Sequence, residues 1–263
     1  MRQYLKLLAL FIIAIFLQSC DNMTEEIYLN EDGSGEYMMY SDMIPSMEKM
    51  AIEMARMFQD MDSTGEIKNM TDKELAEMMS EEIWSDFPEE IDSIIDITQE
   101  LPDSVRDNPQ KMAIIEKATM FMKGGKSKGY LNTGVKYPFQ NLDDLDAFSE
   151  MMQQQNSNDQ LPQMGVDVGK MKVDYSFANN TFSRTSTYTK PPQIDMDEEQ
   201  EELLKKMLGG NVKTIIHLPK KIKKITGDNL KEKEAKTVIF EYNLFDSALG
   251  KVNSDFSIKM KKK

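Results

Sequence analysis

One cysteine, one histidine and one tryptophan in 263 residues set the first limits. A lone cysteine, Cys20, excludes a disulfide within the chain and any metal site built from several thiolates. A lone histidine, His217, removes the usual companion of methionine in copper sites. Basic charge is scarce too: 32 Lys and Arg stand against 45 Asp and Glu, for a net charge of −13. General nucleic-acid binding needs clustered cations facing phosphates, so no nucleic-acid partner is expected. Long apolar runs are also missing. Residues 7–17 are eleven apolar residues in a row, whereas a membrane-spanning helix needs about 20.

What is present at the N-terminus is informative. Arg2 and Lys6 precede that apolar run, and Gln18, Ser19 and Cys20 follow it. A charged start, a short apolar stretch and a small residue before the cut are the parts of a secretory signal. The segment resembles the signal peptide of bacterial lipoproteins, whose lipobox ends in a small residue followed by cysteine. The resemblance covers residues 1–20. It implies that residues 1–19 are removed and that Cys20 becomes the lipidated first residue, acylated by palmitate or a similar chain. Each buried methylene contributes about 0.8 kcal/mol, so two or more chains hold a protein stably on a membrane. The expected address is therefore the bacterial cell envelope, on the periplasmic or cell-surface side. The choice between inner and outer membrane stays open. The remaining residues, 20–263, are enough for one α+β body, with a sub-boundary in the polar stretch 153–165.

Charge is distributed unevenly over that body. Residues 203–263 carry 15 Lys against 6 acids, and runs such as KKIKK at 220–224 read as a solvated strand face. Strands and helices recur in a strand–strand–helix order. "EEIYLN" and "GEYMMYS" flank Asp32-Gly33-Ser34-Gly35, a turn sequence, and a long helix starts near Pro45. "EKATMFMK" and "YLNTGVKYPF" flank a Gly- and Lys-rich turn, after which Asn141 caps a helix through Met152. "KMKVDYSFA" and "TFSRTSTYT" flank Asn179-Asn180. A further helix, "DMDEEQEELLKKMLGG", has acids first and lysines last, as the helix dipole favours. Strands "VKTIIHL", "KTVIFEY" and "DFSIKM" close the chain, and residues 71–101 read as additional helix. The expected fold class is α+β: an antiparallel sheet of strand–strand–helix units with helices packed on it.

Several residue patterns have candidate chemistry. Met43, Met47, Met50, Met54, Met57 and Met61 are spaced as the apolar seam of one helix, which reads as core packing. The stretch 54–75 resembles an EF-hand calcium motif, which implies calcium ligands at Asp60, Asp62, Thr64 and Glu66, with Gly65 at the sharp turn. Thr71 stands where the closing bidentate Glu belongs, and Glu74 comes three residues later. Loss of that ligand weakens such a site to the millimolar range or abolishes it. Four triplets, each an Asp followed by Ser63, Ser93, Ser104 or Ser247, resemble an O-glycosylation acceptor used on envelope proteins by one bacterial group. Asp-Ser is also favoured in ordinary caps and turns.

Enzyme motifs fail on their own terms. Gly-Lys-Ser at 125–127 lacks the earlier glycine of a phosphate loop, because Met120 stands there. Ser46 and Lys49 fit Ser-x-x-Lys without its companion motifs. His217 alternates within a strand, and no serine sits in a nucleophile elbow. The leading expectation is a membrane-anchored, non-catalytic binding or structural-interaction protein with no cofactor, meeting the membrane through Cys20 and another envelope protein through its body. The alternatives are a calcium-stabilised adhesion or scaffold module and an unrecognised hydrolase.

Overall fold

The computed structural model describes residues 22–58, 70–85, 87–96, 103–155, 166–167, 170–190, 193–194, 205 and 210–262. Chain order begins with β1 (Asn22–Leu29), β2 (Gly35–Asp42) and helix α1 (Met43–Phe58), then α2 (Asp72–Ser85) and β3 (Ile91–Ile95). Two short helices follow, α3 (Asp103–Arg106) and α4 (Pro109–Ile115), before β4 (Thr119–Gly125), β5 (Tyr130–Phe139) and α5 (Leu142–Gln155). After β6 (Val166–Asp167) come β7 (Lys170–Ala178), β8 (Thr181–Lys190) and β9 (Gln193–Ile194). The chain ends with β10 (Asn211–His217), β11 (Ile222–Gly227), β12 (Leu230–Lys233), β13 (Thr237–Asn243), α6 (Leu244–Ala248) and β14 (Phe256–Met260). The class is α+β, with mainly antiparallel sheets and helices packed on them.

Two hairpins, a helix cap and a strand-to-helix junction lie where local chemistry places them. Asn179 and Asn180 adopt φ of 52° and 56°, which short polar side chains tolerate and a two-residue hairpin turn requires. In the β1–β2 turn, Asp32 Oδ1 accepts from the Ser34 amide at 3.0 Å and its hydroxyl at 2.7 Å. Asn141 Oδ1 accepts from the Asp144 amide at 2.9 Å, capping α5. Asp42 ends β2 and starts α1: its Oδ1 accepts from the Ile44 amide at 3.2 Å and from the Leu131 amide of β5 at 2.9 Å.

The strands form two main sheets. The larger has the order β12-β13-β10-β1-β2-β5-β4-β3, the smaller β11-β14-β8-β7. Both present apolar side chains to one core, in which Ile27, Tyr137, Phe148, Phe182, Ile216, Val238 and Ile258 are almost fully buried. Helix α5 fills it from one side, where Phe148 stacks on Tyr137 with centroids 4.2 Å apart. A second cluster covers the β3–β4–β5 end of the same face, where α1 and α2 bring Met43, Ile44, Met47, Ile83 and Trp84 onto Met122 and Leu131. Met43 and Met47 thus pack as the seam predicts; the side chains of Met50, Met54 and Met57, and all of Met61, fall outside the described residues.

Two features depart from the sequence reading. Residues 71–101 are not helical throughout: α2 ends at Ser85 and β3 follows. The segment "IDSII" alternates weakly but pairs along β4, from Ile91 with Gly124 to Ile95 with Met120, and that ladder outweighs local propensity. The large sheet also contains one parallel pair, β1 with β10, joining chain segments nearly two hundred residues apart.

Candidate functional site

Alternation along β1 sends consecutive residues to opposite faces of the sheet. Glu25 points inward with Ile27 and Leu29, and Glu26 points outward with Tyr28. Both acids are nonetheless buried, at 6% and 9% exposure, and each has its own set of partners.

The inner set joins the two sheets. Glu25 Oε2 accepts from Arg184 Nη1 of β8 at 2.8 Å and from Thr214 Oγ1 of β10 at 2.9 Å. Glu25 Oε1 accepts from the Tyr175 hydroxyl of β7 at 2.9 Å. The Arg184 guanidinium lies 5.9 Å from the Tyr175 ring centroid, while Arg184 Nε is buried without a hydrogen-bond partner among the described residues. Burial opposes the guanidinium charge, but the Glu25 carboxylate together with the Tyr175, Tyr242 and Tyr37 phenols outweighs it and holds the Arg184 pKa well above its usual value. Burial pushes the Tyr37 and Tyr175 phenols well up, and the nearby Glu25 charge adds to it.

The outer set is half-exposed. The Tyr28 hydroxyl donates to Glu26 Oε1 at 2.8 Å, and His217 Nε2 lies 2.7 Å from the same oxygen. The Tyr28 and His217 rings stack, with centroids 4.2 Å apart and planes within 10°. Thr237 Oγ1 stands 3.4 Å from His217 Nδ1. In the neutral tautomer whose Nε2–H donates to the Glu26 carboxylate, Nδ1 is the acceptor facing the Thr237 hydroxyl. Burial, followed by the Glu26 hydrogen bond, pushes Tyr28 up to about 12. Burial and Glu26 raise Tyr40 as well.

These residues lie on a face of the large sheet that no described helix covers. Register places Met38, Tyr40, Phe121, Ile215 and Ile239 there, each half-buried. At the β3 edge of the same face, Ile94 is 78% exposed. Gly134 lets two aromatics approach: a Cβ there would meet Tyr40 Cβ at 2.5 Å, and Tyr40 and Phe121 flank it with centroids 6.4 Å apart.

A hydroxyl–imidazole–carboxylate relay, Thr237–His217–Glu26, is thus present in outline. The ladder between β10 and β13 pairs Thr237 with His217, so the local backbone amides sit within a sheet instead of converging on an oxyanion. Acyl transfer needs such donors about 3 Å from the developing charge.

The other sequence candidates are placed as follows. Cys20, Asp60, Asp62, Ser63, Thr64 and Glu66 lie outside the described residues. Glu74 belongs to the start of α2: its Oε2 accepts from the Thr71 amide and hydroxyl, both at 2.8 Å, while the Glu74 amide reaches Thr71 Oγ1 at 3.3 Å. That reciprocal pair is a capping box, and the backbone bond from Thr71 holds the Glu74 pKa down. Ser93 is exposed on edge strand β3, Ser104 lies in α3, and Ser247 is half-buried in α6, its carbonyl accepting from the Tyr188 hydroxyl at 3.2 Å. Among the described residues no three His, Cys, Asp or Glu converge as metal ligands. No described helix is long and apolar enough to cross a membrane.

Sequence reading did not single out Glu25, Glu26 or Arg184. A signal was available: Arg184 shares its strand phase with buried Phe182, and Glu25 shares its phase with Ile27 and Leu29. A charge on the apolar phase of a strand implies a buried partner.

Comparisons with known proteins add little. No family model matches the chain, and no curated protein does. Among solved structures, the folded domain of LppM from Mycobacterium tuberculosis, determined by NMR, is similar over 94% of this chain and 92% of its own, at 11% identity and a TM-score of 0.36. A likeness that distant carries no argument about fold or chemistry, so the functional reading rests on the residues.

Proposed function

We propose that the chain is an envelope lipoprotein, lipid-anchored through Cys20, whose body binds another envelope protein and performs no covalent chemistry. The observation that supports it is the uncovered face of the large sheet, where Tyr28, Met38, Tyr40, Phe121, Ile215 and Ile239 form an apolar and aromatic surface with Glu26 and His217 at its centre. Apolar groups gathered on an otherwise charged protein mark interaction surfaces. Two experiments test the two halves. A palmitate analogue labels the wild-type chain, whereas Cys20→Ala abolishes the label and moves the protein to the soluble fraction. A photocrosslinking residue in place of Ile239 gives a discrete adduct in intact cells, while one in place of Lys223 on the small sheet gives none. Equal adducts from both positions, or none from either, overturn the binding half.

The calcium-stabilised module is the second reading. It is favoured by the packing of α1 against α2, which brings together the two helices flanking Asp60, Asp62, Thr64 and Glu66. A calcium-specific rise in melting temperature that Asp60→Ala and Asp62→Ala abolish supports it; an identical melt in EDTA sinks it.

A further inference from the structure

We propose that the end of the large sheet at which β1 begins rests against the phosphate headgroups of the membrane, with the turn at residues 126–129 at the contact. The inference rests on acylation of Cys20. Two observations carry it.

The first is chain length. β1 is paired on both sides from its first residues, Asn22 with Asn211 and Met23 with Ser41. Only Asp21 separates Cys20 from Asn22, and an extended chain covers at most about 3.6 Å per residue, so those two steps keep the acylated cysteine within about 7 Å of the start of β1. A lipoprotein on a long tether can turn any face to the bilayer; a central strand beginning two residues from the anchor leaves far less freedom.

The second is what that end carries. Met23 pairs with Ser41 in the β1–β2 ladder, and Asp42 pairs with Asn132 in the next. Asn132 is therefore level with Asn22, and Leu131, Tyr130 and the β4–β5 turn extend past it, toward the level of Cys20. The turn presents Lys126, Ser127 and Lys128 to solvent. It is held by the Lys126 amide to Pro88 O at 3.2 Å and by Ser127 Oγ to Glu89 O at 2.8 Å. Trp84 and Phe87 meet edge to face behind it, with centroids 6.0 Å apart, and Trp84 and Lys126 share a shallow cleft whose other charged residues are Glu48, Glu77 and Glu81. Lysines near phosphate with tryptophan at headgroup depth is the composition of a membrane–water boundary. Glu89 and Glu90 beside the turn and Glu48, Glu77 and Glu81 in the cleft offset the lysines, Lys128 pairing with Glu90 at 3.2 Å, so the anchor supplies the affinity and the turn only the seating.

The opposite end holds the Asp32–Ser34 and Asn179-Asn180 turns with Lys220, which reaches Glu31 at 3.4 Å. Eight residues of β1 put it about 26 Å farther from the bilayer, roughly three Debye lengths at physiological salt. The sheet thus stands on end, and its uncovered face meets partners lying alongside the membrane.

The test uses the acylated full lipoprotein in phosphatidylethanolamine–phosphatidylglycerol vesicles that contain a lipid with a nitroxide headgroup. Because Cys20 sulfur is in a thioether, a cysteine introduced by Ser127→Cys or by Lys221→Cys is the only thiol to take a fluorophore. Acylation of each preparation is read separately from its mass. Several-fold stronger quenching at 127 than at 221 supports the seating. Equal quenching, or stronger quenching at 221, in an acylated preparation overturns the seating and leaves the anchor standing. An unacylated Cys20 overturns both.

Discussion

Glu25 and Glu26 are neighbours on one strand, equally hidden, yet they serve opposite faces of the sheet. Glu25 sits between two sheets and is matched by Arg184, Thr214 and Tyr175 from three different strands. Glu26 is matched by Tyr28 from its own strand and His217 from the strand beside it, on a face open to water. The inner acid ties distant parts of the chain together where no solvent can substitute for a lost partner. The outer acid organises a surface where water can. Burial percentage alone does not separate them; the identity and origin of the partners do.

That contrast can be broken most forcefully from inside. Arg184→Met leaves the Glu25 charge buried and uncompensated, and the expected loss is about 3–5 kcal/mol, read as a lowered urea midpoint. Adding Glu25→Leu to Arg184→Met recovers most of it, because the orphaned charge is gone. A double variant no more stable than the single one would show that the pair matters by shape and not by charge.

Asp144 sharpens the comparison with an acid of intermediate exposure. Burial raises its pKa, but the Lys117 ammonium at 2.8 Å and the Gln140 amide at 3.1 Å outweigh that and hold it below the usual carboxylate range. A carboxyl held low contributes stability above its ordinary pKa and loses it as pH falls through the folded value. Asp144→Asn therefore costs about 1–2 kcal/mol at neutral pH, and melts recorded down an acid series should show that cost shrinking. A cost independent of pH would contradict the assignment.

Glu26→Gln probes the outer acid. Water can replace part of what is lost, so stability falls by about 1 kcal/mol or less. The clearer readout is Tyr28, which burial first and Glu26 second push up to about 12; removing the carboxylate charge moves it part of the way back toward the ordinary tyrosine value, and absorbance titration measures the change. A phenol raised on folding is stabilising below its unfolded pKa, and the advantage disappears as pH climbs through the folded one. Smallest of all, Thr237→Val should change stability by no more than about 0.5 kcal/mol, since its contact with His217 is 3.4 Å long. A larger loss would mean that the hydroxyl matters more than its geometry implies.

How much of this was legible beforehand varied with the range of the interactions involved. Short-range features were readable because a few adjacent residues specify them: the Asn179-Asn180 hairpin, the Asn141 cap and the β4 and β5 strands came from turn chemistry and alternation. The acid Glu74, three residues beyond the closing position of the calcium motif, was recognisable as misplaced, and the Thr71–Glu74 capping box gives it a local role. Strand β3 was misread because its five residues have little pattern of their own and take their conformation from the edge of β4. The outer cluster was only half legible, since His217 was visible but its carboxylate lay nearly two hundred positions earlier.

The acidic balance and the α+β class follow from composition and from patterns spanning a dozen residues, as does the proposal that Cys20 is lipidated, so they need no knowledge of what touches what. The parallel pairing of β1 with β10, the Glu25–Arg184 ion pair between sheets and the Glu26–His217–Tyr28 cluster could not be read in that way. Each depends on which strands become neighbours, and that choice is made by burying a shared core, where free energy depends on the whole chain's packing and not on any one segment's preferences.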